Sequence, residues 1–196
     1  MKKRWVYILW ILSSCMGEKT SELVKEKPPI PPEKYVTSSI ASFKLDTAYV
    51  TGKRFSGYLF TIDQTTNDTI SKIGYLDGLM AGICKIWYRK NQLLEEREFK
   101  DGAKNGLQVA YWENGKIKFE FTAVNDAYEG ELREWNVNGD LIHLGTYKNG
   151  QEEGPQKMWY DNGKIRANYI MRNGKRYGLL GTKNCVNVSD SIFVVK

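Results

Sequence analysis

From Leu93 onward, apolar residues recur at every second position in short runs separated by turn dipeptides. Leu93, Ile117, Leu141 and Ile165 form one set of equivalent positions, Phe121 and Tyr169 a second, and Phe99, Tyr147 and Met171 a third. Within a run they are separated by an even number of positions, so a strand puts them on one face. Glu96, Glu98, Lys118, Glu120, Arg166 and Asn168 fall between them and are assigned to solvent. The pattern predicts strands.

The runs repeat. Glycines stand at 82, 106, 130, 154 and 178, a constant spacing of 24. Self-similarity at this period marks a repeat architecture in which each unit buries its apolar face against its neighbours. Two kinds of turn alternate within a unit. One is Asn114-Gly115, Asn138-Gly139 or Asn162-Gly163, with Lys90-Asn91 at the first position; the other is Asp101-Gly102, Asn125-Asp126, Asn149-Gly150 or Asn173-Gly174. Such dipeptides between apolar alternations are strong hairpin signals, and both sets are expected to form type I′ turns.

An earlier, imperfect unit runs from Gly57 to Gly82, one position longer than the others, with strands expected over 58–63 and 70–76 and a turn at Thr66-Asn67-Asp68. The fold class is therefore all-β: an elongated antiparallel β-meander of stacked hairpin repeats, about five units spaced by 24 or 25, over 40–178. In residues 179–196, Lys183 and Asn184 replace an expected aromatic pair, and this stretch is assigned as a C-terminal cap.

Five positions after each of the first four glycines stands Trp87, Tyr111, Trp135 or Trp159, followed by Tyr88, Trp112, Asn136 or Tyr160. Aromatics stacked across neighbouring strands stabilise a sheet by roughly 0.2–1 kcal/mol per pair. An exposed row of Trp and Tyr is also what protein or carbohydrate recognition uses. Trp87, Tyr88, Tyr111, Trp112, Trp135, Trp159 and Tyr160 are thus the candidate interaction surface as well as structural columns.

The N-terminus has a different character. Lys2, Lys3 and Arg4 precede an eight-residue apolar run, Trp5 to Leu12, and then Ser13-Ser14-Cys15. Eight helical residues cover about 12 Å of a hydrocarbon core about 30 Å thick, so the run suits a signal-peptide core and not a membrane span. Leu12-Ser13-Ser14-Cys15 resembles the bacterial lipoprotein lipobox at all four positions. The resemblance implies cleavage after residue 14, three acyl chains on Cys15 and stable membrane anchoring. Met16 rather than Asp after the cysteine implies the outer membrane. Residues 15–39 are assigned as a lipidated, Pro-rich tether, because four of the five prolines lie in Pro28-Pro29-Ile30-Pro31-Pro32. Polyproline II geometry gives the stretch 16–32 a reach of roughly 50 Å.

Composition narrows the partners. Removing Lys2, Lys3 and Arg4 from the 29 basic residues leaves 26 against 23 acidic ones, a net +3 that excludes nucleic acid as an expected partner. Of the three cysteines, Cys84 and Cys185 lie about four units apart, beyond the roughly 7 Å that a disulfide tolerates, so both are expected as free thiols and Cys84 as a small core residue. The single histidine, His143, provides no triad, and no Cys-x-x-Cys or His-x-x-x-His spacing exists for a metal. Gly150 to Gly154 lacks the Lys-Ser/Thr of a phosphate loop. Glu95 and Glu96 point to opposite faces of a strand. No enzyme, cofactor or metal site is expected.

Asp101 to Gly106 with Tyr111-Trp112 and Asn114-Gly115-Lys116-Ile117, and again Asn149 to Ile165, resemble the variant form of the MORN repeat. The resemblance covers roughly residues 52–178. It implies a hairpin array used as a protein or membrane interaction surface; some bacterial proteins carrying such repeats are classed as antitoxins. The expected function is a membrane-anchored envelope lipoprotein acting as a non-enzymatic interaction scaffold for a protein partner. Neutralisation of a cognate toxin and glycan binding through the aromatic faces are the alternatives.

Overall fold

The computed structural model describes residues 28–179. Cys15, Cys185 and all but the first residue of the expected cap lie outside the described residues. The described chain forms β1 (Tyr35–Thr37), β2 (Ala41–Lys44), β3 (Thr47–Val50), β4 (Lys53–Arg54), β5 (Gly57–Ile62), β6 (Thr69–Leu76), β7 (Leu79–Met80) and β8 (Gly82–Trp87). There follow β9 (Leu93–Lys100), β10 (Ala103–Tyr111), β11 (Ile117–Val124), β12 (Ala127–Trp135), β13 (Leu141–Lys148), β14 (Gln151–Trp159), β15 (Ile165–Arg172) and β16 (Lys175–Leu179). Among the described residues these give a 13-stranded sheet whose order, from β5 to β16, is the order of the chain. This is the expected meander.

Its register separates two faces. Cys84 pairs with Arg97, Gln108 with Arg97 and Phe121, Leu132 with Phe121 and Gly145, and Gln156 with Gly145 and Tyr169. Paired residues share a face, so these side chains form one apolar face. Phe121, Ala123 and Leu132 are its buried centre, with Phe119 and Tyr147 packed against them. Ring centroids run 5.8 Å from Phe119 to Phe121, 4.4 Å on to Tyr128 and 5.3 Å on to Tyr147, tying β11, β12 and β13 together. Offset aromatic pairs of this kind add about 0.5–1.5 kcal/mol each beyond the area they bury. The alternate positions form the charged face, with ion pairs from Lys85 to Glu96 (2.7 Å) and Arg133 to Glu120 (2.9 Å).

Three of the evenly spaced glycines are bulges inside strands, while Gly82 opens β8. Gly106, Gly130 and Gly154 lie inside β10, β12 and β14 with φ of 113°, 79° and 83°. The ladder slips beside each, between Lys104 and Gln108, Phe121 and Thr122, and Gly145 and Tyr147. Positive φ in a bulge is the conformation that excludes most side chains. Two buried glutamines brace these bulges: Gln108 donates to the carbonyl of Glu98 (2.9 Å), and Gln156, two units on, donates to that of Thr146 (2.7 Å).

The turns divide into two kinds where one was expected. Asp101-Gly102 (φ 52° and 87°), Asn149-Gly150 (49° and 79°) and Asn125-Asp126 (48° and 66°) have positive φ at both residues, as type I′ requires. At Asn114-Gly115, Asn138-Gly139 and Asn162-Gly163 only the glycine does. These are wider loops. Trp112 N–H bonds the Lys116 carbonyl, while the Asn114 side-chain oxygen accepts the Lys116 N–H at 3.1 Å, a local bond that holds Asn114 out of the left-handed region.

Two parts of the N-terminal half differ from expectation. Residues 41–54, assigned to the array, form a separate three-stranded sheet, β2-β3-β4. Ala48, Val50 and Phe55 pack on Leu59 and Tyr75, so this sheet covers the apolar face of the first hairpin. The end of the Pro-rich tether is also part of the fold. Tyr35–Thr37 pairs in parallel with β5, and Pro31 is fully buried. A Cβ on Gly74 would lie 2.8 Å from Pro31 Cγ, and one on Gly82 would lie 2.7 Å from the Pro29 carbonyl oxygen. A proline ring has no N–H to satisfy, so it can be buried in this two-glycine notch without losing a hydrogen bond.

Cys84 is a free, buried thiol, as the repeat geometry required. Burial pushes its pKa up to about 11, and burial pushes Tyr75 and Tyr147 up to about 12. A folded state that keeps a proton longer than the unfolded chain loses stability as pH rises past the unfolded pKa. Stability is therefore expected to fall from about pH 9, the ordinary thiol value, and more steeply above about pH 10 as the tyrosines join. In denaturant titrations at each pH, Cys84→Ala should remove the part of the slope that begins at 9. A second expectation separates the glycines. No atom lies within 4 Å of a Cβ added to Gly130, whereas at Gly106 that Cβ would overlap the Glu98 side chain. Gly130→Ala should cost about 1–2 kcal/mol from backbone conformation alone. Gly106→Ala should cost more, measured by chemical denaturation, because Glu98 must move as well.

Candidate interaction groove

The aromatic residues singled out by the repeat lie along the edge formed by the wider loops. Trp87, Tyr111, Trp135 and Trp159 pair with Leu93, Ile117, Leu141 and Ile165, each just after a slip of the ladder. All four are half-buried, as are Tyr88 and Trp112, while Tyr160 is exposed. Their polar atoms join consecutive units: Tyr88 Oη donates to the Tyr111 carbonyl at 3.3 Å and Trp112 Nε1 to the Trp135 carbonyl at 3.1 Å. Asn114 Nδ2 donates to the Val137 carbonyl at 2.7 Å, and Lys116 Nζ to that of Asn138. Lys118 and Lys157 lie 4.6 Å and 5.2 Å from the ring centroids of Trp112 and Trp159. These contacts give the rows a structural use, running stitch-like along one edge.

On the apolar face, His143 Nδ1 lies 2.9 Å from Glu134 Oε2 on the neighbouring strand. That hydrogen bond is the main cause holding the Glu134 carboxyl below its ordinary range. His143 Nε2 is buried without a partner, as are Gln108 Oε1 and Gln156 Oε1. No serine or cysteine nucleophile stands beside it on β12 or β14, where its paired residues are Glu134 and Met158. Among the described residues no group of three or more His, Cys, Asp or Glu could hold a metal ion.

The recessed surface lies on the charged face. A groove of about 740 Å³ crosses β9 to β12, with Leu107, Thr122 and Val124 in its floor. Glu98, Glu120, Glu129 and Glu131 line it together with the cation of Arg133. Arg133 bonds both Glu120, at 2.9 Å, and Glu131, and the Glu120 hydrogen bond is the main cause raising its pKa. Glu129 accepts the Asn149 backbone N–H at 2.8 Å. Leu107 and Val124 are each 41% exposed, so the floor presents apolar surface between carboxylates. The lining thus carries four carboxylates and one guanidinium. Sequence reading assigned Glu98 and Glu120 to a solvated face and did not find the groove. The signal was their nearness in the repeat, in successive units on the face opposite the apolar columns.

Comparison with known proteins bears on the repeat. The MORN repeat variant model matches residues 104–125 and 152–170, which fall on the hairpins β10–β11 and β14–β15. The hairpin β12–β13 between them keeps the same spacing, bulge glycine and turns. No curated protein matches the chain. Among solved structures, the chain is similar to a point mutant of S. aureus TarM in complex with Fondaparinux, alpha-GlcNAc-glycerol and UDP, at 14% identity over 50% of this chain and 20% of that one, with a TM-score of 0.31. It is similar to TarM at 13% identity over 50% of this chain and 19% of that one (TM-score 0.30). Against the GtfA/B complex bound to UDP and GlcNAc the identity is 11%, over 70% of this chain and 24% of that one (TM-score 0.23). The chain spans 19–24% of the length of these structures. The MORN repeat variant model thus covers two hairpins of a meander whose bulges and turns recur at one constant spacing.

Proposed function

We propose that this protein is a lipid-anchored component of a bacterial cell envelope, held at the outer membrane, whose repeat array is a non-enzymatic scaffold for a basic, extended segment of a partner protein. The observation that carries the reading is the groove over β9 to β12, with an apolar floor and Glu98, Glu120, Glu129 and Glu131 set around Arg133. An extended chain laid across it would put alternate side chains against Leu107 and Val124 and cationic ones against the carboxylates. Rim charges of this type act mainly on the association rate and its salt dependence. Anchoring rests on Leu12-Ser13-Ser14-Cys15 behind a short apolar run, which would hold the array at the membrane. Of the aromatic rows, Tyr88 and Trp112 bond the next unit and Tyr160 is exposed.

Two outcomes are expected. In cell fractionation, Cys15→Ala should move the protein out of the membrane fraction; retention there would remove the anchoring reading. In calorimetric titrations with hexalysine, binding should weaken roughly tenfold when Glu120→Gln and Glu131→Gln are combined, and fall as salt is raised. Equal binding by the parent and the double variant would refute the groove as the docking site.

A further inference from the structure

The sequence holds six Asn-Gly dipeptides, beginning at Asn105, Asn114, Asn138, Asn149, Asn162 and Asn173. Asparagine before glycine is chemically labile, because the glycine has no side chain to shield its backbone nitrogen from the asparagine Cγ. Asn105-Gly106 lies inside β10, where strand pairing restrains the backbone and Asn105 Nδ2 donates to Asn125 Oδ1 at 3.5 Å. The other five lie in exposed turns, so exposure does not rank them. The bonding of the glycine N–H does.

At the wider loops this N–H is committed: Gly115 donates to the Trp112 carbonyl at 2.8 Å, and Gly139 and Gly163 donate to those of Asn136 and Tyr160 at 2.9 Å. Asn114 Oδ1 and Asn162 Oδ1 also accept the N–H of Lys116 and Lys164, at 3.1 Å and 3.0 Å, which holds their side-chain amides in place. At the tight turns the N–H of the second residue reaches back to the preceding unit. Gly102 donates to the Met80 carbonyl at 2.9 Å, Asp126 to that of Lys104 at 3.0 Å and Gly150 to that of Tyr128 at 2.9 Å. Asn173-Gly174 makes the same kind of turn, with φ of 50° and 70°, and the equivalent carbonyl is that of Glu152. Among the described residues, the bond from Gly174 N–H to that carbonyl is not made.

Charge acts in the same direction. The attacking species is a deprotonated amide nitrogen, an anion that neighbouring cations stabilise. Arg172 and Lys175 flank Asn173-Gly174, whereas at Asn149-Gly150 the Glu129 carboxylate accepts the Asn149 backbone N–H at 2.8 Å. We propose that Asn173 is a site of spontaneous, non-enzymatic deamidation, set apart from the other Asn-Gly dipeptides by the fold. The Gly174 nitrogen gives up its proton and bonds to Asn173 Cγ, and the side-chain nitrogen leaves as ammonia with that proton, so that a cyclic imide remains. Water then opens the ring at either carbonyl, giving aspartate or isoaspartate at position 173. Both products put a carboxylate between Arg172 and Lys175. Isoaspartate also lengthens the backbone of the turn by one methylene, which disturbs the pairing of β15 with β16, while the preceding hairpins keep their amides. The inference does not depend on the groove or on its partner.

The test uses the full chain in detergent, incubated at neutral pH and digested, with the six Asn-Gly peptides followed by mass spectrometry and their aspartate and isoaspartate forms separated by chromatography. Asn173 should convert roughly tenfold faster than any other, the factor that corresponds to a hydrogen bond broken before attack at the rest. In denaturant, where those bonds are gone, its lead should shrink. Conversion of Asn173 no faster than the others in the folded protein would overturn the proposal. So would a lead that persists undiminished in denaturant, because the lability would then belong to the flanking sequence and not to the fold.

Discussion

A glycine held at positive φ inside β10, β12 and β14, one full unit apart, is the constraint on which this sheet depends. At Gly106, Gly130 and Gly154 the chain takes up extra residues against its neighbour and then resumes pairing. A bulge increases local twist and re-aims the side chains on either side of it. It also opens polar backbone that must be satisfied, and Gln108 and Gln156 do this from the apolar face, each fully buried. Burying an amide is costly unless it is bonded, and each glutamine Nε2 is bonded to a backbone carbonyl beside the bulge. Leu132 holds the same position one unit earlier than Gln156, which shows that the bulge itself, rather than the brace, is the common element.

Repetition lets weak contacts add. Each unit touches its neighbours through strand pairing, aromatic contacts on the apolar face and hydrogen bonds along both edges. On the edge of the tight turns, Asp126 N–H bonds the Lys104 carbonyl and Gly150 N–H bonds that of Tyr128, while on the other edge Trp112 and Asn114 reach across to the next loop. No single bond of this kind contributes more than about 0.5–1.5 kcal/mol. Their recurrence makes the array cooperative over nearest neighbours, as in other repeat folds. The ends need separate treatment because they lack one neighbour. At the N-terminal end β2-β3-β4 closes the apolar face and Pro31 closes the charged one.

The division of labour between faces follows. The apolar face and the loop edge carry contacts that hold units together, and the charged face carries ion pairs and the groove. There, Arg133 is shared by Glu120 and Glu131, and the groove lining as a whole carries more carboxylates than guanidinium groups.

The sequence by itself determined the meander, the unit length, the strand positions, the apolar columns and the free Cys84, because all of these follow from local periodicity and from turn chemistry at fixed spacing. It also carried the resemblance to the MORN repeat variant, legible in the Asn-Gly and aromatic spacing from Asp101 to Ile165. Only the tertiary structure decided that Gly106, Gly130 and Gly154 are bulges, that Asn114-Gly115 and its equivalents are wider loops, and that residues 41–54 form a sheet of their own. The same holds for Pro31 in its notch and for the groove between Glu98 and Arg133. Each depends on what lies opposite a residue across strands or units, and the pattern along one strand does not contain that. A solvent-facing glutamate and a groove-lining glutamate look alike in sequence; the register of the neighbouring strand is what gathers them.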